Sequence, residues 1–192
     1  MIEKWSSVVN KNFNDAAFNY NNSASIQKDT ALKLAKICSS HSITNGFWVD
    51  LGSGTGLLAK SLESLHPNQS VMRLDNSEKM LDQHSEKSSK QLWDLNNGLP
   101  QWSKKPNLLA SSFVLHWLDN PQKQLKEWFN SLSSNGWIAL AIPIKGSFPE
   151  WYEASEKANL TCTALDLPLY DSLISVVPKK SIFFNKIEIF KQ

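Results

Sequence analysis

Short apolar runs and longer amphipathic stretches alternate along most of this chain. FWVDL (47–51) predicts a buried strand, and GLLAKSLESL (56–65), with leucines at helical spacing, predicts a helix. SVMRLD (70–75) reads as a second strand, followed by a helix in SEKMLDQHSEK (77–87) with Ser77 as its N-cap. KQLWDL (90–95) and PNLLASSF (106–113) continue the pattern as a third and a fourth strand. A helix is then expected from about Pro121 to Leu132, with Pro121 in its first turn. GWIALAIPI (136–144) is a fifth strand, PEWYEASEKANL (149–160) another helix, and SIFFNKIEIF (181–190) alternates like a half-exposed strand. Upstream, Phe13, Ala16, Ala17 and Tyr20 stand at helical spacing in an Asn-rich segment. Ala31, Leu34, Ala35 and Cys38 share one face of a further helix, which Gly46 bounds.

Strands that alternate with helices, and are apolar on both faces, predict a mostly parallel sheet covered on both sides. The expected fold class is α/β, doubly wound. Residues 1–40 are expected to form a helical lid over a body that runs from 41 to 192, in one compact domain overall. In such folds ligands sit beyond the carboxyl ends of the strands, where strand order reverses. The turn after the first strand is therefore the first place to look for chemistry.

Composition narrows the classes. A chain of 192 residues supports one domain with a full core, and 41% hydrophobic with 20% charged residues is ordinary for a globular protein. A net charge of +2, with lysines scattered along the chain, gives no basic stripe of the kind a nucleic-acid partner needs. The longest apolar run, WIALAIPI, falls well short of the roughly 20 residues that span a bilayer, so no membrane association is expected. The N-terminus lacks a signal-peptide layout. Two cysteines, Cys38 and Cys162, without a metal-ligand spacing point to free thiols, no metal and a cytoplasmic setting. Arg73 is the sole arginine, which limits where a two-pronged carboxylate clamp could arise.

The turn reads Asp50-x-Gly52-x-Gly54-x-Gly56. In the dinucleotide fingerprint the third glycine stands one residue later, where this chain has Leu57. An acid at position 50 would repel a pyrophosphate but suits a ligand with an ammonium group. Asp75 ends the second strand, 23 residues past Gly52, the spacing at which an acid meets ribose hydroxyls. Asp94, after the third strand, is placed for an exocyclic amine. Three carboxylates at successive strand ends describe an adenosine ligand without phosphates, and S-adenosylmethionine has that chemistry.

VDLGSGTG, VMRLDNSEKML and LWDLNNGLP together resemble the first three motifs of the class I S-adenosylmethionine-dependent methyltransferases, over roughly residues 45–145. That resemblance implies a Rossmann-like sheet and a cofactor site at Asp50, Gly52, Ser53, Gly54, Gly56, Asp75, Asn76, Asp94 and Leu95. The flanks are similar to the malonyl-[acyl-carrier-protein] O-methyltransferases of biotin synthesis. The matching positions are Phe13, Ala16, Ala17, Tyr20, Ala24 and Gln27, then His116-Trp117 and the GSFPEWYEA turn. The family implies methylation of the free carboxyl of a malonyl thioester carried by acyl-carrier protein or coenzyme A. It also implies a last antiparallel strand, which this sequence does not show after 181–190.

A carboxylate is ionised at pH 7 and needs no general base, so positioning and exclusion of water carry the reaction. Tyr20 is the stronger candidate for contact with the acceptor. His116 has no orienting partner visible in the sequence and reads mainly as wall or packing. Trp48, Trp128 and Trp137 are expected in the core, while Trp93 and Trp117 border the pocket. Other readings stay open: another small-molecule acid as acceptor, a nicotinamide oxidoreductase, a nucleic-acid methyltransferase, or a methyltransferase-like binding protein without catalysis.

Overall fold

Successive residues of 48–51 face opposite apolar layers, and that alternation organises the molecule. In the computed structural model, which describes residues 5–190, Trp48 joins a cluster with Ala31, Leu34, Ala35, Leu58 and Leu62. Val49 and Leu51 join a second cluster with Leu109, Leu125, Trp128 and Leu173. Full burial of one such side chain is worth about 1.5–3 kcal/mol. Exposed ion pairs such as Lys123–Glu127 contribute under about 1 kcal/mol, so the two clusters hold the sheet.

The sheet has five strands, β1 (Trp48–Leu51), β2 (Val71–Asp75), β3 (Lys90–Leu92), β4 (Leu108–Ser112) and β5 (Trp137–Ala141). Every pair is parallel, and the order is β3-β2-β1-β4-β5. The order reverses on either side of β1, which opens a crevice at its carboxyl end. The helices are α1 (Trp5–Ala16), α2 (Tyr20–Ser23), α3 (Ser25–Ser39), α4 (Leu57–Leu65), α5 (Glu78–Leu81), α6 (Pro121–Ser131), α7 (Pro149–Lys157) and α8 (Tyr170–Ile174). Helices α3 and α4 supply the cover of one sheet face, and α6 and α8 that of the other. Asn120 caps α6 by accepting the Lys123 N–H at 2.9 Å, and Ser77 Oγ caps α5 through the Met80 N–H. Among the described residues no helix is long and apolar enough to cross a membrane.

Several elements depart from expectation. The expected helix over 77–87 ends at Leu81, because the polar run that follows breaks into turns and the Lys90 ammonium takes the Leu81 carbonyl at 3.2 Å. The third strand stops at Leu92, since Asp94 caps a short 3-10 turn over Leu95–Asn97. Helix α7 ends at Lys157, three residues early, and buries none of its side chains. Helix α8, absent from the sequence reading, docks Leu173 into the second cluster.

The segment 181–190 is not a sixth strand. Beyond a 3-10 turn at Lys179–Ser181 it is irregular and pairs with no strand. It runs against the α3 side of the molecule. Phe183 meets Trp137 at 5.0 Å, Glu188 pairs with Lys33 at 2.9 Å, and the Lys33 ammonium lies over the Phe190 ring. Alternation there reflects one apolar edge on extended chain, not a ladder partner.

Candidate functional site

After β1 the chain turns through three glycines, all at positive φ: +67° at Gly52, +52° at Gly54 and +86° at Gly56. A Cβ on Gly52 would collide with Val114, and one on Gly56 with the His84 ring. At Gly54 a Cβ would meet nothing within 4 Å. The outer glycines are therefore demanded by the protein behind the turn, and the middle one borders open space.

The turn is held at nearly every polar atom. Ser53 N–H donates to the Leu74 carbonyl at 2.9 Å, and Gly56 N–H to the Ser53 carbonyl at 2.8 Å. Gly54 N–H donates to Asp75 Oδ2 at 2.7 Å, while its carbonyl accepts from His84 Nε2 at 2.8 Å. Lys60 Nζ donates to the Thr55 carbonyl at 3.0 Å. The Thr55 hydroxyl donates to Asn21 Oδ1 at 2.7 Å and so joins the turn to the N-terminal helices.

Three carboxylates line the cavity that this turn borders. Asp50 lies on the α4 side of β1 and accepts the Ala59 N–H at 3.0 Å in the first turn of α4. Its burial pushes the carboxyl up to about 7, although the Ala59 bond and the Arg73 charge oppose that rise. Asp75 is buried as well; besides Gly54 it accepts the Ser77 N–H through Oδ1 at 2.8 Å. Desolvation again raises its pKa, against those two main-chain bonds. Asp94 is half-buried and accepts the Asn96 N–H at 2.9 Å.

The N-terminal helices close the other wall. Ser6, Val9 and Phe13 of α1 line the cavity together with Tyr20 and Gln27. Asn10 Nδ2 donates to the Asn76 carbonyl at 2.8 Å, and Asn14 Oδ1 accepts from the Ser77 hydroxyl at 2.9 Å and the Lys79 N–H at 3.2 Å. Trp117 stacks with Trp5 at 6.5 Å and meets Phe13 edge-on at 5.9 Å; Phe13 in turn lies 6.2 Å from Tyr20. Burial and the nearby Asp75 charge raise the Tyr20 pKa, so its phenol keeps its proton and can donate.

The cavity thus brings together Asp50, Gly52, Ser53, Gly54, Asp75, Asn76, Asp94, Leu95 and the candidate Tyr20, with Trp93 and Trp117 on its rim. Gly56 stands behind the turn, over His84. His116 does not line the cavity: it is buried, 4.8 Å from Trp117, and its Nδ1 has no partner. Burial pulls its pKa down to about 4, so the ring is neutral at pH 7. Arg73 is committed elsewhere, gripping Glu63 through Nη1 and Nη2 at 2.7 and 2.6 Å. No lysine, arginine or histidine lines the cavity among the described residues.

Sequence reasoning missed His84, Thr55 and the asparagines of α1 and α2. Thr55 sat in plain view inside the glycine motif. The asparagines stood in a segment read only as Asn-rich, and His84 lies just past the end of a helix expected to continue to 87.

An adenosine cofactor can be tested against these residues. The Ser53 hydroxyl is buried, borders the cavity and has no partner, and Gly54 leaves the space of a side chain empty. Three acids and tryptophan and leucine walls complement a cationic adenosine better than a phosphate.

Comparison with known proteins agrees with that chemistry. Residues 49–140 match the family model described as "Methyltransferase domain". A trans-aconitate 2-methyltransferase of Mycobacterium tuberculosis is 32% identical over 57% of this chain and 41% of its own length. A malonyl-[acyl-carrier protein] O-methyltransferase of Hamiltonella defensa is 28% identical over 77% of this chain and 56% of its own. The chain spans about half the length of these curated relatives. A Thermotoga maritima crystal structure, described as an S-adenosylmethionine-dependent methyltransferase and possible histamine N-methyltransferase, superposes with a TM-score of 0.60 at 18% identity. That match covers 85% of this chain and 76% of the other, and it is a likeness of fold.

Proposed function

We propose that this chain, which has the class I methyltransferase fold and resembles the malonyl-[acyl-carrier protein] O-methyltransferases, binds S-adenosylmethionine and methylates a carboxylate acceptor. The observation that carries the reading is the ring of Asp50, Asp75 and Asp94 around the glycine turn, with no cation beside them in the cavity lining. Asp75 would accept from the ribose hydroxyls, Asp50 would face the amino-acid end, and Asp94 with Leu95 would border the adenine. The cofactor supplies a methyl group on a positively charged sulfur.

The protein's part is positioning. An ionised acceptor carboxylate needs no base, which suits a cavity without a basic side chain. With Arg73 engaged by Glu63, the acceptor would be oriented by neutral groups, the protonated Tyr20 phenol and the Gln27 amide. The tryptophan and phenylalanine wall keeps water from the reacting atoms.

The finer assignment is the free carboxyl of a malonyl group on acyl-carrier protein or coenzyme A, supported by the Phe13–Gln27 segment and by the relative of that name. The trans-aconitate relative favours a second reading, in which the acceptor is a small polycarboxylic acid. A transfer assay with methyl-labelled S-adenosylmethionine separates them. Malonyl-carrier protein, malonyl-CoA and trans-aconitate are offered in parallel, and label is scored as a base-labile ester. Label on the malonyl group alone supports the first reading, and label on aconitate the second. A protein that binds S-adenosylhomocysteine yet esterifies none of them is not the proposed carboxyl methyltransferase.

A further inference from the structure

We infer that His84 is a positioning residue for the cofactor, acting through the main chain of the glycine turn. Gly54, the one glycine of the turn that borders open space, is fixed from both sides: its N–H by Asp75 and its carbonyl by His84 Nε2 at 2.8 Å. A carbonyl only accepts, so Nε2 carries the proton and Nδ1 is bare. That bare nitrogen is buried without a partner. Burial lowers the ring's pKa, with the Arg73, Lys60 and Lys90 charges adding to it and the Gly54 bond opposing, which keeps the ring in its neutral form.

The ring also fills the space beneath Gly56, where a Cβ would strike its Cε1 and Nδ1. One imidazole therefore braces two of the three glycines, Gly54 by a hydrogen bond and Gly56 by contact. Without it the Gly54–Thr55 peptide is free to turn about the flexible Gly54 backbone, and the adjoining Ser53–Gly54 peptide, whose N–H holds Asp75 Oδ2, loses the anchor on its other side. Asp75 would then spend its oxygens differently, and the ribose site would lose its fixed acceptor. Lys60, by contrast, holds the Thr55 carbonyl from an exposed side chain and leaves the Gly54 peptide untouched.

This rests on the reading of the turn as the cofactor cradle, and the test separates the two. S-adenosylhomocysteine is titrated calorimetrically into the parent protein, His84→Phe and His84→Gln, with melting temperatures followed in parallel. Phe keeps the bulk under Gly56 and removes the donor; Gln returns an N–H near the place of Nε2. The expected result is about tenfold weaker binding by H84F, and binding by H84Q within about threefold of the parent. A purely structural role would lower the melting temperature of H84F and leave its affinity unchanged, which overturns the inference. Equal weakening of both variants also overturns it. Should H84F fail to fold, His84→Asn, whose shorter amide falls short of Gly54, takes its place against H84Q under the same criteria. If the parent itself does not bind, the cofactor reading falls and this inference with it.

Discussion

Asp75 uses one carboxylate oxygen to hold Gly54, 2.7 Å away across the ends of β1 and β2. The acid expected to receive the ribose is thus also a strut of the glycine turn. Asp75→Ala removes a charge-assisted acceptor and frees the Gly54 and Ser77 N–H groups together. Hydrogen bonds to charged groups are worth about 1.5–3 kcal/mol each. The affinity for S-adenosylhomocysteine should fall by a factor on the order of 10², measured by calorimetry. Parent-like binding by the mutant would remove Asp75 from the site.

Asp50 should make cofactor binding pH-dependent. Its pKa of about 7 means that the carboxyl is mostly protonated at pH 6 and mostly ionised at pH 8. A cationic ligand favours the ionised form, so S-adenosylmethionine should bind about tenfold tighter at pH 8 than at pH 6. For the ligand-free protein the sign is opposite. A raised carboxyl pKa stabilises the fold at acid pH, and that contribution is lost as pH climbs from the ordinary carboxylate range through about 7. Asp50→Asn should flatten both trends; an unchanged pH profile of binding would assign the dependence to another group.

His116 should register in stability alone. Its folded pKa of about 4 lies below the ordinary histidine value of 6.5, so the unfolded chain binds the extra proton between those values. That contribution is complete above pH 6.5 and is lost as pH falls toward 4. His116→Phe, which keeps the ring and its burial, should therefore stabilise the protein at pH 5 by ~2 kcal/mol relative to pH 7.5. Thermal melts at the two pH values check this. Methyl transfer at pH 7.5 should persist, and its abolition there would give His116 a chemical role.

The alternation of strands and helices was readable because the central strands β1 and β4 are buried on both faces, and because Gly52 and Gly56 sit where a neighbour leaves no room for Cβ. The placing of the carboxylates was readable too: Asp50, Asp75 and Asp94 come from successive strand ends and line one cavity, although Asp75 and Asp94 also hold main-chain N–H groups. What escaped was whatever depends on contact between distant segments. The ring of His84 reaches Gly54 across 30 positions, and Asn14 reaches Ser77 across 63. Neither has a periodic signature. The apparent strand at 181–190 failed from the opposite cause, since period-two apolarity marks an edge that contacts something and does not say whether that something is a strand. The rarity of arginine limited where a carboxylate clamp could arise, and the pairing of Arg73 with Glu63 shows that the lone arginine serves inside the protein.

Asn14 accepts from both Ser77 and Lys79, while Asn10 holds Asn76, so α1 is fastened to the segment that follows Asp75. A ligand on Asp75 and the helix above it therefore share one stretch of main chain. Under the proposed function, a spent cofactor that leaves past α1 has to break these three hydrogen bonds together with the packing of Trp5 and Phe13 on Trp117.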